Sequence, residues 1–315
     1  MKKFFYNNYI ILIPILILNI ISIFYLHNTQ YFSKQLIWLG LSYIFLYLTS
    51  KIKINKLNKY FSLFYLFSLF LLTIVLIYGR EINGSKAWLH IGTFSIQPSE
   101  LTKIALLLYL PYLIIKKINK FYLFLIFIIP AILTYLELDT GAIIIYLIIF
   151  LSCLKYTKTN KKILLFIILF STIFITTNIY LFYNNKDLLI KIYGTKLFYR
   201  LDRLISFKNQ SNIQTINSTI SIGSNYLLYI PENHNDFIFA SIISKYNLSV
   251  TILTYLCLCS IIIFYISKIT SQKNISNIYN YSILNMLFFQ IFYNILMNLS
   301  LVPIIGIPQI GRAHV

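Results

Sequence analysis

Nine apolar stretches separated by short polar gaps dominate this 315-residue chain, near 9–26, 36–50, 60–79, 101–115, 121–136, 141–154, 163–183, 237–267 and 281–302. Runs of this kind have one natural solvent, the hydrocarbon of a bilayer, where a helix satisfies its own backbone and about 20 apolar residues make a span. Composition closes the alternative: 58% of the residues are hydrophobic and 11% charged, whereas a soluble domain carries about 25% charged residues. A water-soluble fold is excluded. The expected architecture is an all-α polytopic integral membrane protein of about nine transmembrane helices in one domain over 1–309. A long external loop, about 184–236, is expected between the seventh and eighth helices. The first run follows Met1-Lys2-Lys3, is long, and lacks a small-residue cleavage site, so it reads as an uncleaved helix rather than a signal peptide.

The charges sort by position. Against 27 Lys+Arg stand only 8 Asp+Glu, a net charge of +19. An excess of this size would point to nucleic acid if it lay on polar, exposed elements. Here the lysines sit in the gaps between apolar runs, and no nucleic-acid partner is expected. Lys2 and Lys3, Lys51/Lys53/Lys56/Lys59, Lys116/Lys117/Lys120, Lys155/Lys158/Lys161/Lys162 and Lys268/Lys273 fall on one side of the predicted topology. The positive-inside rule makes that side cytoplasmic, with the N-terminus. All eight acids, Glu81, Glu100, Glu137, Asp139, Asp187, Asp202, Glu232 and Asp236, then fall outside. Carboxylate chemistry is therefore expected at the outer face of the cytoplasmic membrane. Cys153, Cys257 and Cys259 lie within apolar runs without metal-site spacing.

Two segments concentrate polar chemistry. In Gln97-Pro98-Ser99-Glu100-Leu101-Thr102-Lys103, Pro98 suits a first helical turn, Ser99 and Glu100 suit its positive end, and Glu100 and Lys103 share a face. One reading is a capped helix with a local ion pair. The other notes that Lys103 lies a turn into the membrane, where a charge normally faces a cavity or partner. Trp88, upstream, fits an interfacial anchor. In Pro231-Glu232-Asn233-His234-Asn235-Asp236-Phe237-Ile238-Phe239, two carboxylates and a histidine stand at the mouth of an apolar helix. A plain helix N-cap would explain Asp236, though not the density of titratable groups.

Taken together, Gln97-Pro98-Ser99-Glu100-x-x-Lys103, Leu138-Asp139-Thr140-Gly141, Asn217-Ser218 with Ile222-Gly223-Ser224, Pro231-Glu232-x-His234-x-Asp236-Phe237-Ile238-Phe239, and Asn294 through Val302-Pro303 to Gly306-Ile307-Pro308 resemble the successive motifs of the SEDS family. The family includes RodA and FtsW. The resemblance implies a ten-helix peptidoglycan glycosyltransferase that polymerises lipid II at the outer face beside a class B penicillin-binding protein and other elongation or division proteins. An α-linked diphosphate donor and a β-linked product imply one inverting displacement, which needs a base on the acceptor hydroxyl and no enzyme nucleophile. Asp236 falls at the family's essential aspartate and is the expected base. Lys86, Lys103, Arg200 and Arg203 are candidates for the diphosphate, with Arg203 the best match, and a divalent cation (Mg or Mn) would also serve there. Trp88, Glu100, Asp139, Ser218, Glu232 and His234 are expected to contact the substrate or line its cavity.

The chain departs from the family pattern at several points. Ala87 stands where an Arg precedes Trp, Ser244-Lys245 replaces a Glu-Glu pair, and the glycine-rich segment before Pro231 is short. These departures keep a non-catalytic scaffold for the penicillin-binding protein in view as an alternative. A lipid II flippase is another, although no internal repeat supports it. Ile305-Gly306-Ile307-Pro308 resembles the elongation type, RodA, more than the division type, FtsW. Ile310 to Val315 reads as the translation of a common sequencing adapter, so 310–315 is expected to be non-native and the natural chain longer.

Overall fold

The computed structural model describes residues 2–52, 57–82, 85–91, 94–157, 213–224, 236–270 and 274–303, with scattered positions between 177 and 191. Its helices are α1 (Lys2–Leu26), α2 (Phe32–Ser50), α3 (Phe61–Tyr78), α4 (Pro98–Ile115), α5 (Lys120–Leu136), α6 (Thr140–Leu154), α7 (Ile213–Ser224), α8 (Ile238–Lys268) and α9 (Ile275–Asn298). Eight of the nine predicted apolar stretches coincide with one of these, and the stretch 163–183 falls almost wholly outside the described residues. Among the described residues, four segments are both long and apolar enough to cross a membrane on their own terms: Tyr9–Leu26, Asn58–Tyr78, Pro98–Ile115 and Leu248–Lys268.

The helices pack side by side, and their contacts fix their directions. Asn19 on α1 donates to the Tyr43 hydroxyl on α2 at 2.7 Å, and Gln35 donates to Ser22 at 2.9 Å, so these two run antiparallel. Lys245 near the start of α8 reaches the Tyr25 carbonyl at the end of α1. Phe61 at the start of α3 stacks edge-on against Tyr112 near the end of α4. Cys153 and Ser152, late in α6, meet Ser282 and Asn285 in the first half of α9 at 3.2 and 2.8 Å. Such interhelical polar bonds matter because lipid tails are as apolar as the side chains, leaving packing and hydrogen bonding to hold helices together. A core built on Leu106, Leu110, Leu123, Tyr146, Ile149 and Ile278 joins α4, α5, α6 and α9. Phe24, Leu63, Ile77, Phe121, Leu256 and Ile263 point outward, as lipid-facing residues would.

These directions segregate charge. Lys51, Lys59, Lys116, Lys117, Lys120, Lys155 and Lys268 lie at one end of the bundle, at helix junctions. Glu100, Glu137, Asp139 and Asp236 lie at the other, where α4, α6 and α8 begin and α5 and α9 end.

The all-helical expectation holds for the bundle and needs one local correction. Residues 80–96 form a three-stranded antiparallel sheet, β1 (Arg80–Ile82), β2 (Ser85–Ile91) and β3 (Phe94–Ile96), with Arg80 opposite Trp88 and Leu89 opposite Ile96. The strands are too short, and too mixed in composition, to give a periodic signal. Within the segment expected as a long loop, 213–224 is the helix α7.

Candidate functional site

The acidic end of the bundle is organised by helix termini. Gln97 is the N-cap of α4 and Pro98 its first residue, so the chain enters this helix as the Gln-Pro-Ser-Glu pattern predicts. Glu100 and Lys103, one turn apart on that helix, form an ion pair, with the Lys103 side chain almost wholly buried. A cation this deep is tolerable because its partner is at hand.

The α5–α6 junction supplies the second acidic pair. The Leu138 N–H donates to the Tyr135 carbonyl at 3.0 Å and the Asp139 N–H to the Thr134 carbonyl at 3.2 Å, while Leu138 takes a left-handed backbone, φ 66°. This is the Schellman closure of a helix C-terminus, made here without glycine. It turns the chain so that Asp139 caps α6: its Oδ1 accepts from the Ala142 N–H at 3.1 Å. Asp139 Oδ2 accepts from Gln97 Nε2 at 2.6 Å and from the Ser99 hydroxyl at 3.1 Å. Tyr146 on α6 adds a bond to the Ser99 carbonyl at 2.9 Å. One buried carboxylate thus ties the starts of α4 and α6 together, and both of its oxygens are engaged by the protein itself.

Glu137, two residues away, is different. It is fully buried, and among the described residues neither of its carboxyl oxygens has a hydrogen-bond partner. Burial, and secondly the neighbouring Asp139 charge, push its carboxyl up to about 9, so it is held neutral at ordinary pH. The Gln97 Oε1 acceptor in the same region is likewise buried without a partner among the described residues. The sheet closes over this junction, with the Lys86 N–H donating to the Glu137 carbonyl at 3.2 Å.

Asp236 sits just before α8 and is partly exposed. It is not the helix cap: that position falls on Phe237, with no side-chain capping bond. Its backbone carbonyl is held from α9, by Asn294 Nδ2 at 2.8 Å and Asn298 Nδ2 at 3.1 Å. Asn298 Oδ1 accepts from the Ala240 N–H at 3.2 Å, satisfying one of the open donors in the first turn of α8. Ser218 on α7 donates its hydroxyl to the Asn298 carbonyl at 2.8 Å.

The structure therefore sorts the predicted site residues into three groups. Glu100, Lys103, Asp139, Ser218 and Asp236 gather at one end of the bundle. Lys86 and Trp88 lie in β2, where Trp88 is buried and Lys86 Nζ donates to the Leu76 and Ile77 carbonyls at 2.8 and 2.9 Å, closing the C-terminus of α3. Arg203, Glu232 and His234 lie outside the described residues, as does Arg200. Among the described residues no three His, Cys, Asp or Glu side chains gather as a metal site. The sequence does not single out Gln97, Glu137 or Asn298 as site residues. The available signals were two carboxyls at a helix junction and two asparagines four apart in an apolar run.

A bundle of apolar helices that brings Glu100, Glu137, Asp139 and Asp236 to one end defines a multi-pass membrane protein. The family model describing the cell cycle proteins FtsW, RodA and SpoVE matches residues 4–310, and the chain belongs to that family. Among similar proteins, a probable peptidoglycan glycosyltransferase FtsW of Buchnera aphidicola subsp. Schizaphis graminum is 32% identical over 54% of this chain and 52% of its own length. One of Buchnera aphidicola subsp. Baizongia pistaciae is 32% identical over 75% of this chain and 66% of its own. That of Wigglesworthia glossinidia brevipalpis is 31% identical over 97% of this chain and 87% of its own. The chain thus spans between half and two-thirds of the length of the first two. Solved structures with the same fold include two of note. One is a chain of a peptidoglycan synthase complex, with TM-score 0.77 and 21% identity over 95% of this chain and 89% of that one. The other is Thermus thermophilus rod shape determining protein RodA, with TM-score 0.67 and 18% identity over 96% of this chain and 88% of that one.

Proposed function

We propose that this protein is an inverting peptidoglycan glycosyltransferase that polymerises lipid II at the outer face of the bacterial cytoplasmic membrane, with Asp236 as the base. The observation that carries the reading is the placement of Asp236: a half-buried acidic residue at the acidic end of the bundle, its main chain fixed by two asparagines of α9. In the reaction, Asp236 takes the proton of the acceptor sugar hydroxyl as that oxygen attacks the anomeric carbon of the donor from the face opposite the departing diphosphate. Lys103 contributes positive potential near the leaving group, with Glu100 setting its position, and Arg203, Glu232 and His234 complete the substrate contacts. The lysines at the opposite end of the bundle support this orientation, since the positive-inside rule favours the cytoplasm for them.

A class B penicillin-binding protein is the expected partner, since a structural neighbour belongs to a peptidoglycan synthase complex. Two observations favour different cellular roles. Ile305-Gly306-Ile307-Pro308 favours elongation, whereas the three relatives above are named FtsW and favour division. Depletion distinguishes them, because loss of rod shape marks the first role and filamentation the second.

The test of the activity is incubation of the purified protein with lipid II in detergent. Glycan polymer is the expected product. Transfer of lipid II across a vesicle bilayer without polymer would replace this reading with a flippase, and neither activity would leave the scaffold.

A further inference from the structure

Two of the bonds on Asp236 come from an element distant in sequence, and both fall on its main-chain carbonyl. Asn294 and Asn298 are one helical turn apart on α9, and neither has any solvent exposure. Both aim their amide Nδ2 at one carbonyl oxygen, that of Asp236. Two donors on one acceptor fix it in position as well as distance. Asn298 also holds the Ala240 N–H through Oδ1 and donates from Nδ2 to Asn294, to its carbonyl at 2.9 Å and to its Oδ1 at 3.2 Å. Its carbonyl receives the Ser218 hydroxyl. The last turn of α9 is thus a polar node joining α7, Asp236 and the first turn of α8.

Buried amides in an apolar helix are costly unless bonded. Packing alone would be met by leucine or methionine at both positions. What the asparagines add is a defined location for one peptide, the one whose side chain is the Asp236 carboxylate.

We infer that Asn294 and Asn298 are positioning residues for Asp236, fixing the peptide from which its carboxylate reaches the acceptor hydroxyl. The inference rests on the reading of Asp236 as the base. A displacement of about 1 Å in a reacting group lowers turnover by about 100-fold. Substrate contacts made elsewhere are unaffected, so the loss falls on kcat and leaves KM in place.

The experiment compares Asn294→Ala, Asn298→Ala and Asp236→Asn with the parent, as full chains in detergent. It measures the rate of lipid II polymerisation against substrate concentration and pH, with thermal unfolding of each variant alongside. Asn298→Ala leaves the Ala240 N–H open and is the more disruptive to the fold; Asn294→Ala removes a bond to Asp236 without touching that helix end. The expected result is a 10- to 100-fold fall in kcat for Asn294→Ala, with KM within threefold of the parent. A shifted acidic limb of the pH profile is also expected, since the surroundings of the base have changed. Asn294→Ser, which retains a short donor, should recover part of the loss. Three results would overturn the inference: kcat within threefold of the parent for both alanine variants, a loss carried by KM, or failure of both to fold, which would assign the pair to the fold alone. Asp236→Asn separates the two readings. If it is inactive while the asparagine variants are normal, only the positioning role falls; if it is active, the base assignment falls first.

Discussion

Gln97 Nε2 donates to Asp139 Oδ2 across 2.6 Å, joining the residue that opens α4 to the residue that opens α6, 42 positions later. Two polar motifs that are separate in the sequence become one structural unit at the acidic end of the bundle. Asp139 also accepts from the Ala142 N–H and the Ser99 hydroxyl, so its removal opens a helix cap and two cross-links together.

Asp139→Ala should therefore destabilise the protein by about 2–4 kcal/mol, the sum of a lost N-cap and buried donors left unpaired. Asp139→Asn should cost about 1 kcal/mol. Its amide oxygen can keep the Ala142 bond, and its new N–H₂ can meet the Gln97 Oε1, now without a partner among the described residues, once that amide turns over. Thermal unfolding of both variants in the same detergent checks the ranking. Equal losses would show that the carboxylate charge, rather than the bonding pattern, holds the junction.

Glu137 predicts a pH dependence. Its carboxyl is raised from 4.5 to about 9 in the folded protein, by burial first and by Asp139 second. Between those values the folded state keeps a proton that the unfolded chain has released, so its contribution to stability falls as pH rises through that window, by at most about 1.4 kcal/mol per unit. Glu137→Gln keeps the shape and has no proton to lose. It should be more stable than the parent at pH 7, by roughly 3 kcal/mol at the upper limit, and equal to it near pH 4. Unfolding midpoints measured from pH 4 to 9 test this, and parallel curves for the two proteins would contradict it.

Lys245 occupies a position where the family pattern carries an acid. It donates to the Tyr25 carbonyl at 2.7 Å and lies 4.9 Å from the centre of the Tyr25 ring. A cation there meets the negative end of α1. Lys245→Glu, although it restores the family residue type, should destabilise the protein by about 1–2 kcal/mol through repulsion from those carbonyls. Lys245→Met should cost about half as much. A melting temperature unchanged in Lys245→Glu would show that the contact with α1 carries no weight.

Lys117 closes α4 in a left-handed backbone, φ 58°, with its N–H on the Ile114 carbonyl and that of Ile118 on the Leu113 carbonyl. Its side chain is exposed, so Lys117→Gly removes backbone strain without removing packing. An increase in stability of about 1 kcal/mol is expected. A decrease would mean that the lysine charge at this helix end outweighs the strain.

The apolar runs announced the helices because bilayer thickness sets both their length and their polarity, and α3, α5 and α6 begin within a residue or two of the predicted bounds. The start of α4 was legible for a local reason: Pro98 and Glu100 favour one helix-entry geometry whatever lies around them. The sheet over 80–96 was not, since its strands are stabilised by pairing with each other and by the Lys86–Glu137 contact, and neither appears as a periodicity. Lys86 shows the same limit at the site. Its charge marked it as a ligand for a diphosphate, while the fold turns it onto the last carbonyls of α3. Asp236 stood out by residue type and neighbours. Its support by Asn294 and Asn298 depends on how α8 meets α9, which no local pattern encodes.

The role of Asp236 as the base of lipid II polymerisation is tested by the glycan product of purified Asp236→Asn protein incubated with lipid II. No polymer is expected from a variant that unfolds at the parent temperature and is recovered intact from the membrane. Glycan chains formed at the parent rate by that variant would contradict it.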